Sequence, residues 1–205
     1  MNATRFHPVL PALLAFALLF LGAAAESRAV EASQSPTMAP LPVGQAVPAI
    51  ELAGPMSANE AKELGLKAGA KTFKIQDLKA PGVILVVYSM YCPYCQREAP
   101  QLNALHKLIK DRGLSGKLKL LGVGAGNSPF EVNVFRTNFA ITFPLIPDKD
   151  FSVYKSLGQV GTPYYYVLKR RGKDFIIVSG KLGQVDSVVA FLDEAVANTL
   201  PDQGK

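Results

Sequence analysis

The chain of 205 residues has no tryptophan, two cysteines and two histidines. Two cysteines cannot build a disulfide-stapled miniprotein or a four-thiolate metal cluster. Two histidines leave most histidine-based metal sites unfurnished. Charged residues are sparse, 19% against 49% hydrophobic, which excludes a disordered or collagen-like chain. The length suits one domain with its own core.

Part of the hydrophobicity lies outside any fold. Arg5 is the one sure charge before an apolar run from Val9 to Ala25, which closes on Ala23-Ala24-Ala25 before Glu26. A basic start, an apolar stretch and a small-residue end make residues 1–25 a secretory signal, with an uncleaved membrane anchor as the alternative. No Cys follows the run and no Arg pair precedes it, which excludes a lipoprotein or twin-Arg signal. Residues 26–42 are rich in Ala, Ser and Pro without apolar period and are expected to be a flexible tether. The folded domain is expected over 43–200, exported or periplasmic.

The formal net charge is +6, and +5 without residues 1–25. Nucleic acid is not an expected partner, because the cations are scattered and the chain carries an export pattern. The one tight cluster, Lys169-Arg170-Arg171-Gly172-Lys173, is expected to be a solvated hairpin tip.

From Val43 onward, short apolar runs alternate with amphipathic stretches, the pattern of an α/β domain. Short strands are expected at 49–52 and 72–75, with a helix between them capped by Ser57 and Glu60 and ended by Gly65. The run Val83–Tyr88 is a strand buried on both faces. A helix follows from Pro93 to Gly113, with Leu102, Leu105 and Ile109 inward. Then come a strand at 117–123, a helix from the Ser128-Pro129-Phe130-Glu131 capping box to 139, a strand at 143–146 and a short helix at 150–157. A hairpin of 164–168 and 175–179 precedes a last helix, capped by Asp186, with Val188, Val189, Leu192 and Val196 inward.

Cys92-Pro93-Tyr94-Cys95 lies four residues past the buried strand and opens the amphipathic helix. Unpaired N–H groups at a helix start favour a thiolate, so Cys92 is the candidate nucleophile. Cys95 is placed to attack a mixed disulfide on Cys92. Pro93 has no N–H to leave unpaired in the first turn. No metal is expected: His106 is eleven residues beyond Cys95, about 16 Å along a helix. A purely structural disulfide closes too short a ring to stabilise much. Tyr88, Tyr91 and Tyr94 are expected to surround the site, at least one of them as core. Glu98 is expected to be a solvated helix carboxylate beside Arg97 rather than a proton relay.

With these residues in place the chain resembles the thioredoxin-fold superfamily, and within it the exported TlpA/ResA-like thiol–disulfide oxidoreductases, a branch that also carries redoxin or AhpC/TSA-like domain labels. Gly44–Leu52 is similar to the family's opening segment, and Phe73–Leu78 to the lead into the central strand. The cysteine pair with Pro100 is similar to its active-site helix, and Ile141–Asp148 to the stretch after its inserted helix. Gly161-Thr162-Pro163 falls where the family has a cis-proline.

The resemblance implies a thioredoxin-like three-layer sandwich: a central mixed sheet with helices on both faces, an N-terminal β extension and an inserted helix. It further implies disulfide exchange through Cys92 and Cys95, and substrate contacts at Pro93, Tyr94, Thr162 and Pro163. No cofactor is implied; the partners are protein thiols or disulfides and a membrane-linked redox protein. Three departures stand out: Tyr91 where the family usually has Trp, Val86 where thioredoxins bury an Asp, and a long 54–72 segment. The Pro-Tyr dipeptide is that of glutaredoxins, but the inserted helix and the export pattern argue against a cytosolic one. The alternatives are a peroxiredoxin-like peroxidase, for which Ser89 is in place but Leu85 is not the expected Pro, and a metal or haem-protein maturation chaperone.

Overall fold

The computed structural model describes residues 38–200, together with Met1. The expected signal and residues 26–37 of the tether lie outside the described residues. Among the described residues no helix is long and apolar enough to cross a membrane.

The domain opens with a small extension. Strands β1 (Glu51–Ala53) and β2 (Thr72–Lys74) pair antiparallel, with helix α1 (Ala58–Leu64) between them. Ser57 caps α1 by accepting from the Glu60 N–H at 3.2 Å, and Gly65 ends it at φ 74, a left-handed conformation that suits glycine.

Strand β3 (Gly82–Tyr88) is buried at every residue, as its unbroken β-branched and aliphatic run requires. It leads into the long helix α2 (Pro93–Asp111) and then β4 (Leu118–Ala125), which pairs parallel with β3. Helix α3 (Pro129–Asn138) follows with the expected Ser128–Glu131 capping box. Strand β5 (Leu145–Asp148) pairs parallel with β4. After the single-turn helix α4 (Ser152–Ser156) the chain returns antiparallel as β6 (Tyr164–Arg171) and β7 (Asp174–Leu182), and ends in α5 (Val188–Thr199). The sheet order is β5-β4-β3-β6-β7.

Alternate residues of β3 serve two cores. Val83, Leu85 and Val87 pack with Leu64, Phe73, Val153 and Leu157, whereas Ile84, Val86 and Tyr88 pack with Leu102, Leu105, Phe135 and Leu192. The fold is therefore the expected mixed sheet with helices on both faces. It places the C-terminal end of β3 and the start of α2 at one end of the sheet.

Several local expectations are corrected. β5 starts two residues late, since the Pro144 carbonyl accepts from the Gly122 N–H while Phe143 packs in the core. α4 starts at Ser152 because the Asp148 carboxylate accepts from the N–H groups of Val153 and Tyr154 at 3.0 and 2.8 Å. The cap of α5 is Ser187, accepting from the Ala190 N–H at 3.3 Å, while Asp186 pairs with Lys181. Val189 faces outward, 50% exposed, whereas Val188, Leu192 and Val196 pack inward as expected, joined by Phe191 and Ala195. The basic cluster is not merely a tip: β6 runs through Arg171, and the Arg170 guanidinium folds back onto the carbonyls of Gln76, Leu78 and Ala80 and over the Phe175 ring.

The long 54–72 segment is tied down. Buried Glu60 pairs with Arg136 at 2.8 Å and accepts from the Leu145 N–H of β5 at 3.1 Å. Glu63 bonds His106 on α2 at 2.5 Å, and His106 bonds the Thr142 hydroxyl at 2.8 Å. On the far side of the sheet, the segment Gly44–Val47 exchanges backbone hydrogen bonds with Phe175 and Ile177 of β7.

Candidate active site

Cys92 is the N-cap of α2 and Pro93 its first helical residue. The Cys92 thiol is partly exposed and donates to the Thr162 carbonyl at 3.2 Å, while Cys95, one turn into the helix, is fully buried. The Thr162–Pro163 peptide bond is cis. The structure thus brings Cys92, Cys95, Thr162 and Pro163 together. Tyr94 is set apart from them: its ring is exposed beneath the Arg97 guanidinium, 4.5 Å from the ring centre. Tyr91 is also exposed, and Tyr88 is core.

The two thiols are polarised in opposite senses. Burial pushes the Cys92 thiol up, but hydrogen bonds from the Thr162 side chain, from Cys95 and from the Tyr94 backbone outweigh it and leave the thiol below its ordinary value. The Tyr94 and Cys95 backbone N–H groups are those that a capping serine or aspartate would use at a helix start. Burial pushes the Cys95 thiol up to about 12, and the neighbouring Cys92 adds to the rise. Alkylation of the reduced protein should therefore depend on pH in a specific way. The Cys92 rate is expected to reach half its maximum below the ordinary thiol range of about 8.5, because a lowered pKa populates thiolate at lower pH. Cys95 in the folded protein is expected to react far more slowly than Cys92 across the neutral range, because burial pushes its thiol up to about 12. Iodoacetamide labelling followed by peptide mass analysis checks this; Cys95 reacting first would refute it.

The loop before Cys92 is held from two sides. The Asn127 side chain, between β4 and α3, accepts from the Met90 N–H at 2.9 Å, and the Gln96 amide donates to the Met90 carbonyl at 2.7 Å. Asn127 is fully buried. Asn127→Ala is expected to cost about 1–3 kcal/mol in urea unfolding by leaving a Met90 N–H unpaired. It is also expected to move the Cys92 alkylation profile toward the ordinary thiol range. A variant with the parent's stability and profile would show the contact to be idle.

On the exposed side of the same loop, the Tyr91 hydroxyl donates to Glu131, the capping-box carboxylate of α3. Hydrogen bonds from Ser128 and Tyr91 hold Glu131 down at about 2, and the Glu131 bond raises Tyr91 in turn.

Glu98 corrects the sequence reading. Far from being solvated, it is fully buried, and its Oε1 accepts from the Tyr165 hydroxyl at 2.6 Å and the Val185 N–H at 2.9 Å. Its Oε2 and the Tyr88 hydroxyl are buried without a hydrogen-bond partner. Burial raises Tyr165 far above the usual phenol value, and Glu98 and Cys95 both add to that rise. The signal was present in the sequence: Cys95, Glu98, Leu102, Leu105 and Ile109 repeat at three and four and share the buried face of α2. Nothing local in the sequence marked Asn127 or Gln96, whose role depends on how three separate segments meet.

Comparison with known proteins follows from this geometry. The chain is 26% identical over 113 residues to thiol-disulfide oxidoreductase ResA of Geobacillus thermodenitrificans, covering 55% of this chain and 63% of that protein. It is 27% identical over 153 residues to ResA of Oceanobacillus iheyensis, covering 74% and 72%. The stretch matched thus spans less than two thirds of the Geobacillus relative. Among solved structures, the thioredoxin domain of a Bacteroides vulgatus thiol-disulfide oxidoreductase superposes with a TM-score of 0.57 at 18% identity, covering 75% of this chain and 97% of that one. StoA of Bacillus subtilis gives 0.50 at 24%, covering 61% and 88%. These similarities show the thioredoxin-like fold. The AhpC/TSA family model matches residues 43–181, more than half of the chain, and the protein therefore belongs to the AhpC/TSA family.

Proposed function

We propose that the protein is a thiol–disulfide oxidoreductase of the cell envelope that exchanges disulfides with other proteins through Cys92 and Cys95. One observation carries the reading: a thiol with a lowered pKa at the start of α2, facing Thr162–Pro163, with a buried thiol one turn behind it. The names of the ResA relatives support it, and the export pattern of residues 1–25 supports the location.

In the reducing direction the Cys92 thiolate attacks a substrate disulfide. One substrate sulfur bonds Cys92 and the other leaves as a thiolate that takes up a proton. Cys95 then loses its proton and attacks the Cys92 sulfur, which forms the Cys92–Cys95 disulfide and releases the second substrate thiolate. Two electrons pass from the cysteine pair to the substrate; the oxidising direction is the reverse. Pro93, Tyr94, Thr162 and Pro163 form the substrate-facing surround in this reading. Backbone groups beside Pro163 offer hydrogen bonds to an extended chain. A membrane-linked redox partner resets the pair.

The test is equilibration of the full chain against defined glutathione or dithiothreitol ratios, followed by thiol trapping. A two-electron couple near about −270 mV identifies a reductase and one near about −120 mV an oxidant. Failure of the pair to equilibrate would sink the reading. Steady consumption of hydrogen peroxide at a rate exceeding disulfide exchange would replace it with the peroxidase alternative.

A further inference from the structure

The end of the sheet opposite the cysteines is basic. Gly82, the first residue of β3, pairs with Lys169 in β6, and its N–H donates to the Lys117 carbonyl. Lys79 precedes it, and Arg171 and Lys173 extend past Lys169 at the hairpin turn. With Lys67, these make six exposed cations at one pole. Of the acidic groups there, Asp111 and Asp193 are paired with Lys107 and Arg112, and Asp77 and Asp174 are fewer than the cations. At the cysteine end the charges balance instead: Arg97, Lys149 and Lys181 stand among Glu131, Asp150 and Asp186.

The basic pole also has an apolar recess. A groove of about 1000 Å³ is lined by Leu66, Phe73 and Pro81 together with Lys67, Lys79 and Arg170. The Oε1 of Gln76, which also lines it, is buried without a hydrogen-bond partner. The Arg170 guanidinium is committed to backbone carbonyls, so Lys67, Lys79, Lys169, Arg171 and Lys173 carry the positive field of this face.

We propose that this pole docks on an anionic lipid surface, with the groove taking part of a lipid at the contact and the cysteines facing away. A soluble polyanion would be met by the cations alone. A lipid surface also meets the apolar recess that they rim, and each Lys or Arg near such a surface adds to binding within a Debye length. The basic face and the redox face lie at opposite ends of one strand, so membrane contact leaves Cys92 open to protein substrates. The inference is independent of the direction of electron flow.

The test compares the full chain with its K169Q/R171Q/K173Q variant, in sedimentation with phosphatidylcholine vesicles containing or lacking phosphatidylglycerol. Both proteins keep residues 1–25, so any contribution of that segment is common to both. The parent is expected to prefer the anionic vesicles and to be released by high salt. The variant is expected to lose on the order of a hundredfold in affinity for them, with unchanged urea midpoint and Cys92 reactivity. K67Q/K79Q, at the groove itself, is expected to lose affinity as well. Equal binding of the parent to neutral and anionic vesicles, or a triple variant that binds like the parent, would overturn the proposal. So would duplex DNA that binds the parent as tightly as the vesicles and loses that binding in the same variant, since it would mark a general polyanion site. Labelling of Cys92 by a membrane-impermeant maleimide is expected to be unaffected by docking; protection would overturn the assigned orientation.

Discussion

Cys95→Ser is expected to accumulate a covalent complex with substrate proteins through Cys92, whereas Cys92→Ser forms none. Both variants are expected to lose at least about a thousandfold in turnover, because the two sulfurs act as a unit. The reason lies in the asymmetry of the pair. Cys92 is partly exposed with a depressed pKa, and Cys95 is sealed from solvent with a pKa near about 12. Only Cys92 can meet a disulfide that arrives from outside. Burial is the larger cause of the rise in the Cys95 pKa and Cys92 a smaller one, so bonding of the Cys92 sulfur to substrate removes the smaller cause and makes Cys95 easier to ionise. Non-reducing gels of the variants mixed with an oxidised model protein check this. Trapping by Cys92→Ser, or by both variants equally, would reverse the assignment.

The second large effect is expected at Glu98. Glu98→Ala removes the acceptor for both the Tyr165 hydroxyl and the Val185 N–H and opens a gap in the core below Cys95. Two buried donors left unpaired, at about 1–3 kcal/mol each, predict a loss of about 2–6 kcal/mol in urea unfolding. Glu98→Gln keeps one oxygen for those donors and is expected to lose about 1–3 kcal/mol, because its NH₂ falls where Oε2 has no partner. Equal stability of both variants and the parent would mean that the carboxylate is dispensable to the fold. The Gln variant also separates shape from charge: if Cys95 resolves mixed disulfides at the parent's rate in Glu98→Gln, the carboxylate's charge plays no part in that step.

The fold was legible where one kind of signal dominated. The unbroken run Val83–Tyr88 could only be a doubly covered strand, and Ser128-Pro129-Phe130-Glu131 carried its capping geometry in four residues. Misreadings arose where neighbouring residues offered the same chemistry. Asp186 and Ser187 can both cap a helix; Lys181 took the first and Ser187 caps α5, and of the residues expected inward Val189 is turned out. Asp150 looked like a helix start, but Asp148, reaching from the end of β5, supplied the cap. At the site, the cysteines stood out by their local pattern at a helix start, and Thr162-Pro163 by the family resemblance. Glu98 was misplaced for a different reason. A carboxylate beside an arginine suggests solvent, and only the three- and four-residue rhythm of α2, together with a tyrosine arriving from β6 and an N–H from the loop before α5, makes its burial tolerable. The basic cluster was read as a solvated hairpin tip, but the strand divides it, with Arg170 turned inward to backbone carbonyls and Lys169 and Arg171 left outside.

The Gly44–Val47 segment and the Glu60 carboxylate have a joint effect on how the protein meets other chains. A sheet ordinarily ends in rows of backbone groups open to any passing strand. Here the outer side of β7 is occupied by Gly44–Val47 at Phe175–Ile177, and on the other margin the first N–H of β5 is taken by Glu60 of α1. An extended polypeptide therefore finds those stretches of the flanks already taken. Under the proposed function, a partly unfolded client would find less backbone to pair with along these stretches than at the end where Cys92 lies.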